Sequence, residues 1–322
     1  MARVYEGLNV DSDLGGLFPW KSKKLLADGK NKMAFVDEGP KDATLTFLCI
    51  HGNPTWGVLY REFIRRLSPT YRIVVPDHIG FGRSDKPREP GYYTLERHID
   101  NLNALVEKLG LTNVVPVIQD WGGPIGLGYA TQHTKDIKGI VVLNTWSFVS
   151  EHGGVRLPWF FKLLLLGRGG WRRATKKNMF VELMLVKGQK LGVAEADAYR
   201  APHPTPDDRI GIARFPQLIP EIGRPEHEAH GTMKRIEDQL GLLALKPALI
   251  LWPMKDVAFR KAQLLRWQEV FPRHVVHRLE GAKHYAQESH STQMLDEILK
   301  WAKTLGKQDA ALRGATKKTG KS

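Results

Sequence analysis

An aspartate closes the apolar run Val114-Val115-Pro116-Val117-Ile118 in the stretch Gln119-Asp120-Trp121-Gly122-Gly123-Pro124. The run reads as a strand, the two glycines permit a sharp turn, and the proline suits the first turn of a helix. Strand, turn and helix in this order make a nucleophile elbow, with Asp120 where a serine often stands. Ile118 replaces the first glycine of the usual G-x-S-x-G pattern, and an aspartate capping a helix is the commoner role for such a residue. A second run, Thr44 to Ile50, leads into His51-Gly52-Asn53-Pro54-Thr55-Trp56. A glycine turn there lets the backbone N–H of Asn53 face the elbow, and with the N–H of Trp121 it would form an oxyanion hole. Asn53 adds a side-chain amide with two donors. Plain strand-to-loop turns are built from the same residue types.

A nucleophile needs a base and an acid to orient it. Asp256 follows the run Ala248 to Trp252, and His284 follows Val275 to Leu279. Of 12 histidines, His277 lies inside a strand and His290 on the next helix, so His284 alone occupies a late post-strand loop. The chain order is therefore nucleophile Asp120, acid Asp256, base His284. A carboxylate nucleophile suits attack on saturated carbon. Displacement by serine would leave an ether, whereas displacement by aspartate leaves an ester that water can cleave. Two further aromatics, Trp146 after the run Ile140 to Leu143 and Trp159 in the later helical stretch, read as packing rather than catalysis.

These groups have to be positioned by a sheet. Thr44–Ile50, Arg72–Val75, Val114–Ile118, Ile140–Leu143, Ala248–Trp252 and Val275–Leu279 read as strands, most of them almost uniformly apolar and so covered on both faces. Between them lie amphipathic helices, such as the stripe Leu95, Ile99, Leu102, Leu105, Val106 and Leu109. Alternation of this kind predicts an α/β fold with a mostly parallel sheet and helices on both faces. Strand signals stop after Trp146 and resume at Ala248, which predicts an inserted helical cap. The expected organisation is a core over 1–146, a cap over 147–232, the rest of the core over 233–305, and a basic flexible tail over 306–322.

The chain has 322 residues, 42% hydrophobic and 25% charged, enough to bury a substantial core. Its net charge of +14 leaves anionic partners open. A single cysteine, Cys49, excludes an intrachain disulfide. The N-terminal stretch lacks the apolar segment of a secretion signal, and no run reaches the roughly 18 apolar residues of a membrane span, so a cytoplasmic protein is expected. No metal and no cofactor is called for by the motifs.

Taken together, HGNPTW, PDHIGFGRSDKP (Pro76 to Pro87), QDWGG, the late MKD and AKHYAQE resemble the haloalkane dehalogenase family of α/β-hydrolases, over roughly Met33 to Ala302. The resemblance implies hydrolysis of a halogenated alkane to alcohol and halide ion through an alkyl ester on Asp120. It implies halide binding by Asn53 and Trp121, His284 as base and Asp256 as acid. Asn144, at the family's other acid position, is not acidic. Asn53 with a late aspartate is similar to the family's third branch. Self-association is left open, and no nucleic-acid partner is expected.

Epoxide hydrolases resemble the chain too, but they use two cap tyrosines, and Tyr199 is the single tyrosine between Ser147 and Thr232. Fluoroacetate dehalogenases carry arginine where Trp121 stands. Coelenterazine-type luciferases are similar in their triads. A membrane-associating module is the reading of a different class. Arg156 to Lys177 holds seven basic residues and no acidic one, beside Trp159, Phe160, Phe161 and Leu163 to Leu166. The plainer expectation is a solvated basic rim with the apolar face turned in toward the pocket.

Overall fold

The computed structural model describes residues 9–12 and 14–319, with side chains as far as residue 305. Eight strands form one sheet: β1 (Lys23–Leu26), β2 (Lys32–Glu38), β3 (Thr46–Ile50), β4 (Arg72–Pro76), β5 (Val114–Asp120), β6 (Ile140–Thr145), β7 (Ala248–Pro253) and β8 (His274–Leu279). Their order is β1-β2-β4-β3-β5-β6-β7-β8. β1 and β2 pair antiparallel, as do β2 and β4, and every later pairing is parallel. β3, β4, β6 and β7 are buried along their whole length, as their unbroken apolar runs require.

The six strands read from the sequence are all present. β1 and β2 are additions. β1 is a mostly exposed edge strand of two lysines and two leucines, and such an edge carries little hydrophobic signal. β2 does contain a buried run, Met33 to Val36, that could have revealed it.

Helices α1 (Arg61–Leu67), α2 (Leu95–Leu109) and α3 (Gly122–Gln132) connect the first strands. α2 buries the predicted stripe. Its N-cap Thr94 accepts a hydrogen bond from the Arg97 N–H, and Gly110 ends it in the left-handed region, at φ 56°. Among the described residues, the segment between β6 and β7 contains helices and no strand. α4 (Trp159–Leu165), α5 (Gly167–Lys177), a π-wound stretch Phe180–Lys187, α6 (Val193–Arg200) and α7 (Ile210–Arg214) come first, and α8 (His230–Gln239) packs back on α2 and α3. α9 (Lys261–Val270), α10 (Ala286–Ser289) and α11 (Ser291–Thr319) complete the fold. The backbone of α11 runs through most of the stretch expected as a tail. Residues 320–322 lie outside the described residues.

One expectation about the cap is corrected. Trp159, Phe160 and Leu163 do not face inward; they are 76%, 51% and 71% exposed. α4 is apolar on nearly all sides, so no polar face of its own dictates which side turns to water.

A buried ion pair fastens cap to core. Arg61 on α1 binds Glu288 on α10 through two hydrogen bonds of 2.7 Å each, and the Tyr199 hydroxyl of α6 donates to the same carboxylate. Paired forks of this kind are the strongest of the charged hydrogen bonds.

β4 and β5 lie on opposite sides of β3, so the chain reverses its direction of winding between them. Crevices for ligands open at the carboxyl ends of strands at such a switch point. The loop after β3 and the turn after β5 meet there.

Candidate active site

Asp120 ends β5 with φ at +52°. The left-handed region costs a residue with a Cβ about 1–2 kcal/mol, and the surroundings must hold it there. The Thr145 hydroxyl at the end of β6 donates to the Asp120 carbonyl at 2.5 Å. A Cβ on Gly52 would strike the Asp120 carboxylate, and one on Gly122 would strike the Ile50 carbonyl. Gly52 and Gly122 are therefore required by close approach. The Asn53 N–H donates to Asp120 Oδ1 at 2.7 Å. The Tyr285 hydroxyl in turn donates to the Asn53 carbonyl at 3.1 Å.

The second carboxylate oxygen faces the imidazole. His284 Nε2 lies 3.5 Å from Asp120 Oδ2, and His284 Nδ1 lies 2.9 Å from Asp256 Oδ2. Asp256 is buried and keeps a low pKa. Burial alone would raise it, but the neighbouring imidazolium, the Ala258 N–H (2.7 Å to Oδ1) and the Asn144 amide (2.7 Å to Oδ2) outweigh that. Burial would likewise lower the His284 pKa, yet the charge of Asp256 and the hydrogen bond to Asp120 push it up to about 10.

Two side chains complete this cluster. Asn144, at the end of β6, donates to Asp256 and to the His284 carbonyl at 2.6 Å, bracing the two residues together. Gln119 places its amide 3.3 Å from His284 Nε2, with its own Oε1 buried and unpartnered among the described residues. Against a protonated ring this amide must present Oε1, and against a neutral ring its N–H. Both are polar residues at strand ends, the one sequence signal that Gln119 gave; Asn144 also stands at the family's other acid position.

The far end of the site is aromatic. Trp121 is buried, edge-on to Trp146 with centroids 4.9 Å apart, and 4.8 Å from Phe215. Trp146 also stacks on Phe259, and its indole N–H is buried without a partner among the described residues. The Asn53 amide donates one N–H to the Ile212 carbonyl of α7 at 3.2 Å, which links the loop to the cap. All five sequence-selected residues thus meet at the carboxyl ends of β3, β5, β7 and β8.

Behind the Asn53 loop lies a second group of imidazoles. His51, His78, His98 and His203 are fully buried. His51 Nε2 accepts the His78 N–H at 3.0 Å, so its proton sits on Nδ1, toward the Gly52 carbonyl. His78 gives its Nε2 proton to the His51 carbonyl, and His203 its Nδ1 proton to the Asp208 carbonyl, each at 2.9 Å. His98 stacks on Phe215 with both ring nitrogens unpartnered among the described residues. Burial lowers all four pKa values, that of His78 to about 4 and that of His203 to about 3.

Residues 46–291 match the family model described as alpha/beta hydrolase fold. A cis-3-alkyl-4-alkyloxetan-2-one decarboxylase of Shewanella oneidensis is 35% identical over 289 residues, covering 88% of this chain and 89% of that protein. Haloalkane dehalogenase 2 of Mycobacterium bovis is 33% identical over 279 residues, covering 84% and 91%. The tetrameric haloalkane dehalogenase DpaA from Paraglaciecola agarilytica NO2 superposes with a TM-score of 0.72 at 30% identity, over 87% of this chain and 92% of that one. The chain belongs to the haloalkane dehalogenase family of α/β-hydrolases. The family match spans the Asn53 loop, the elbow, Asp256 and His284. Among the described residues, no helix of this family member is long and apolar enough to cross a membrane, and no cluster of three or more His, Cys, Asp or Glu could hold a metal ion.

Proposed function

We propose that the enzyme cleaves carbon–halogen bonds by attack of Asp120 on the carbon bearing the halogen. The observation that carries this reading is the division of labour on one carboxylate, with Oδ1 on the Asn53 N–H and Oδ2 toward His284. Oδ2 forms the new C–O bond as the halide leaves with the electrons of the C–X bond. The departing charge is met by the indole N–H of Trp121 and the second N–H of Asn53, beside the aromatic rings of Trp146, Phe215 and Phe259.

The alkyl ester then needs water. Esterification neutralises Asp120, and with it one of the two charges that hold a proton on His284, so the ring loses that proton to solvent and can act as base. Neutral His284, oriented by Asp256, takes a proton from water as its oxygen attacks the ester carbonyl carbon. The negative charge develops on Oδ1, which already faces the Asn53 N–H; the Trp121 N–H is the second donor. Collapse expels the alkyl oxygen, which takes a proton from the His284 imidazolium to leave as alcohol, and the new Asp120 carboxyl gives its own proton to the ring and is a carboxylate again.

Opening an epoxide would require acidic hydroxyls. The cap tyrosine Tyr199 has its hydroxyl committed to Glu288, which disfavours that reading. A second reading has an observation in its favour, the 35% identity to the oxetan-2-one decarboxylase. There Asp120 would attack the ring carbon bonded to oxygen and open the lactone to a carboxylate. Loss of carbon dioxide with departure of the Asp120 carboxylate would then leave an alkene.

The test is halide release from terminal bromo- and chloroalkanes, run beside alkene formation from a cis-3,4-dialkyl-oxetan-2-one. Halide release that disappears in Asp120→Ala supports dehalogenation. Alkene formation without halide release replaces it with the second reading. Normal turnover of either substrate by Asp120→Ala overturns both.

A further inference from the structure

We propose that the α4–α5 hairpin of the cap is a docking surface for anionic phospholipid bilayers. Three observations meet there. First, Trp159, Phe160 and Leu163 stand in water on α4, next to the partly exposed Phe161 and Leu164. A contiguous apolar surface of this kind marks an interaction site. Second, the exposed Arg168, Arg172 and Lys176 follow at intervals of four along α5, a single stripe, and Lys177 lies beside them. Among the described residues these four have no carboxylate partner, whereas Arg156 is paired with Glu151, Lys162 with Glu221, and Arg173 is spent on the Leu163 and Leu164 carbonyls. Third, an open groove of about 430 Å³ lies along α5, lined by Gly167, Arg168, Trp171, Arg172 and Gln217. Its lining is mostly apolar, with Arg168 and Arg172 of the basic stripe at its edge beside Trp171.

The combination selects among occupants. A nucleic acid would neutralise the stripe but leave Trp159, Phe160 and Leu163 in water. A second copy of the chain would cover the apolar side chains but bring two uncompensated basic stripes together on molecules of net charge +14. A lipid surface satisfies both halves. Headgroup phosphates meet Arg168, Arg172 and Lys176, while the aromatic and leucine side chains enter the boundary between headgroups and acyl chains.

The experiment is co-sedimentation of the full chain with phosphatidylcholine–phosphatidylserine vesicles and with phosphatidylcholine vesicles, at low and high salt. The expected result is pelleting with the anionic vesicles only, weakened by salt. Two variants, Arg168→Glu with Arg172→Glu, and Trp159→Ser with Phe160→Ser and Leu163→Ser, should each lower the partition coefficient about tenfold or more. These side chains are exposed, so the fold tolerates their change, and the charged C-terminal stretch is the same in every variant. Absence of binding, equal binding by the variants, or equal binding to neutral vesicles overturns the proposal. An oligomer that the triple serine variant splits, in a chain that ignores vesicles, assigns the face to a second copy and also overturns it. The readout is independent of catalysis, so an inactive enzyme that still pellets leaves this inference standing.

Discussion

His284 and the His51–His78–His98–His203 group are the same side chain, in the same core, a loop apart, and they hold their protons in opposite ways. Burial weakens proton binding at all five. At His284 two carboxylates reverse the effect and push the pKa to about 10. The other four meet backbone carbonyls, backbone N–H groups and aromatic rings, and stay neutral. The contrast teaches that carboxylate contact, and not depth, decides which imidazole does proton chemistry.

The most severe way to break the contrast is His284→Phe. Without a base the ester persists, so halide release should stop after one equivalent per enzyme, and intact mass should rise by the alkyl group. Steady turnover by this variant would move the base elsewhere. Asp256→Asn comes next. It removes the charge that orients and stabilises the imidazolium, and should lower turnover about 10²–10⁴-fold. Unchanged turnover would mean that another acid serves His284. Asn144→Ala, which leaves both members in place but unbraced, should cost about tenfold in turnover with little change in KM.

The neutral group makes its own prediction. The unfolded chain protonates these histidines below about pH 6.5, while the folded chain keeps them neutral to lower pH, His78 to about 4 and His203 to about 3. Stability is therefore lost as pH falls from about 6.5, with a slope of up to about 1.4 kcal/mol per pH unit for each histidine that only the unfolded chain protonates. His284 has the opposite sign. Its extra proton affinity stabilises the fold below about pH 6.5 and is lost as pH rises through about 10. Denaturant titrations across pH 4–9 measure both slopes. The smallest effect is expected for His98→Phe. It should hold stability at pH 7, since no hydrogen bond is lost, and reduce the acid slope by about one proton. An undiminished slope would take His98 out of the group.

Much of this was legible in the residues. The buried strands announced themselves because strands covered on both faces are mostly apolar, and the meeting of Asp120, Asp256 and His284 was readable because parallel sheets present polar groups just after their strands. β1 was not, since an exposed edge strand needs no apolar pattern. The partners of Asn144 and Gln119 were hidden because they lie 112 to 165 residues away in sequence and meet only through the sheet. The direction of α4 was misread because Trp159 to Leu166, with Lys162 as its one polar residue, states a preference for apolar surroundings without saying on which side they lie.

The knot of Arg61, Glu288 and Tyr199 bears on how such a lid can move. Glu288 lies four residues past His284, and Tyr199 reaches it from above. Swinging α6 outward would strip a carboxylate with almost no exposure of one of its donors. The lid is thus pinned at the corner nearest the base, and traffic of reactants and products falls to whatever part of the cap is free to breathe without pulling on that pin.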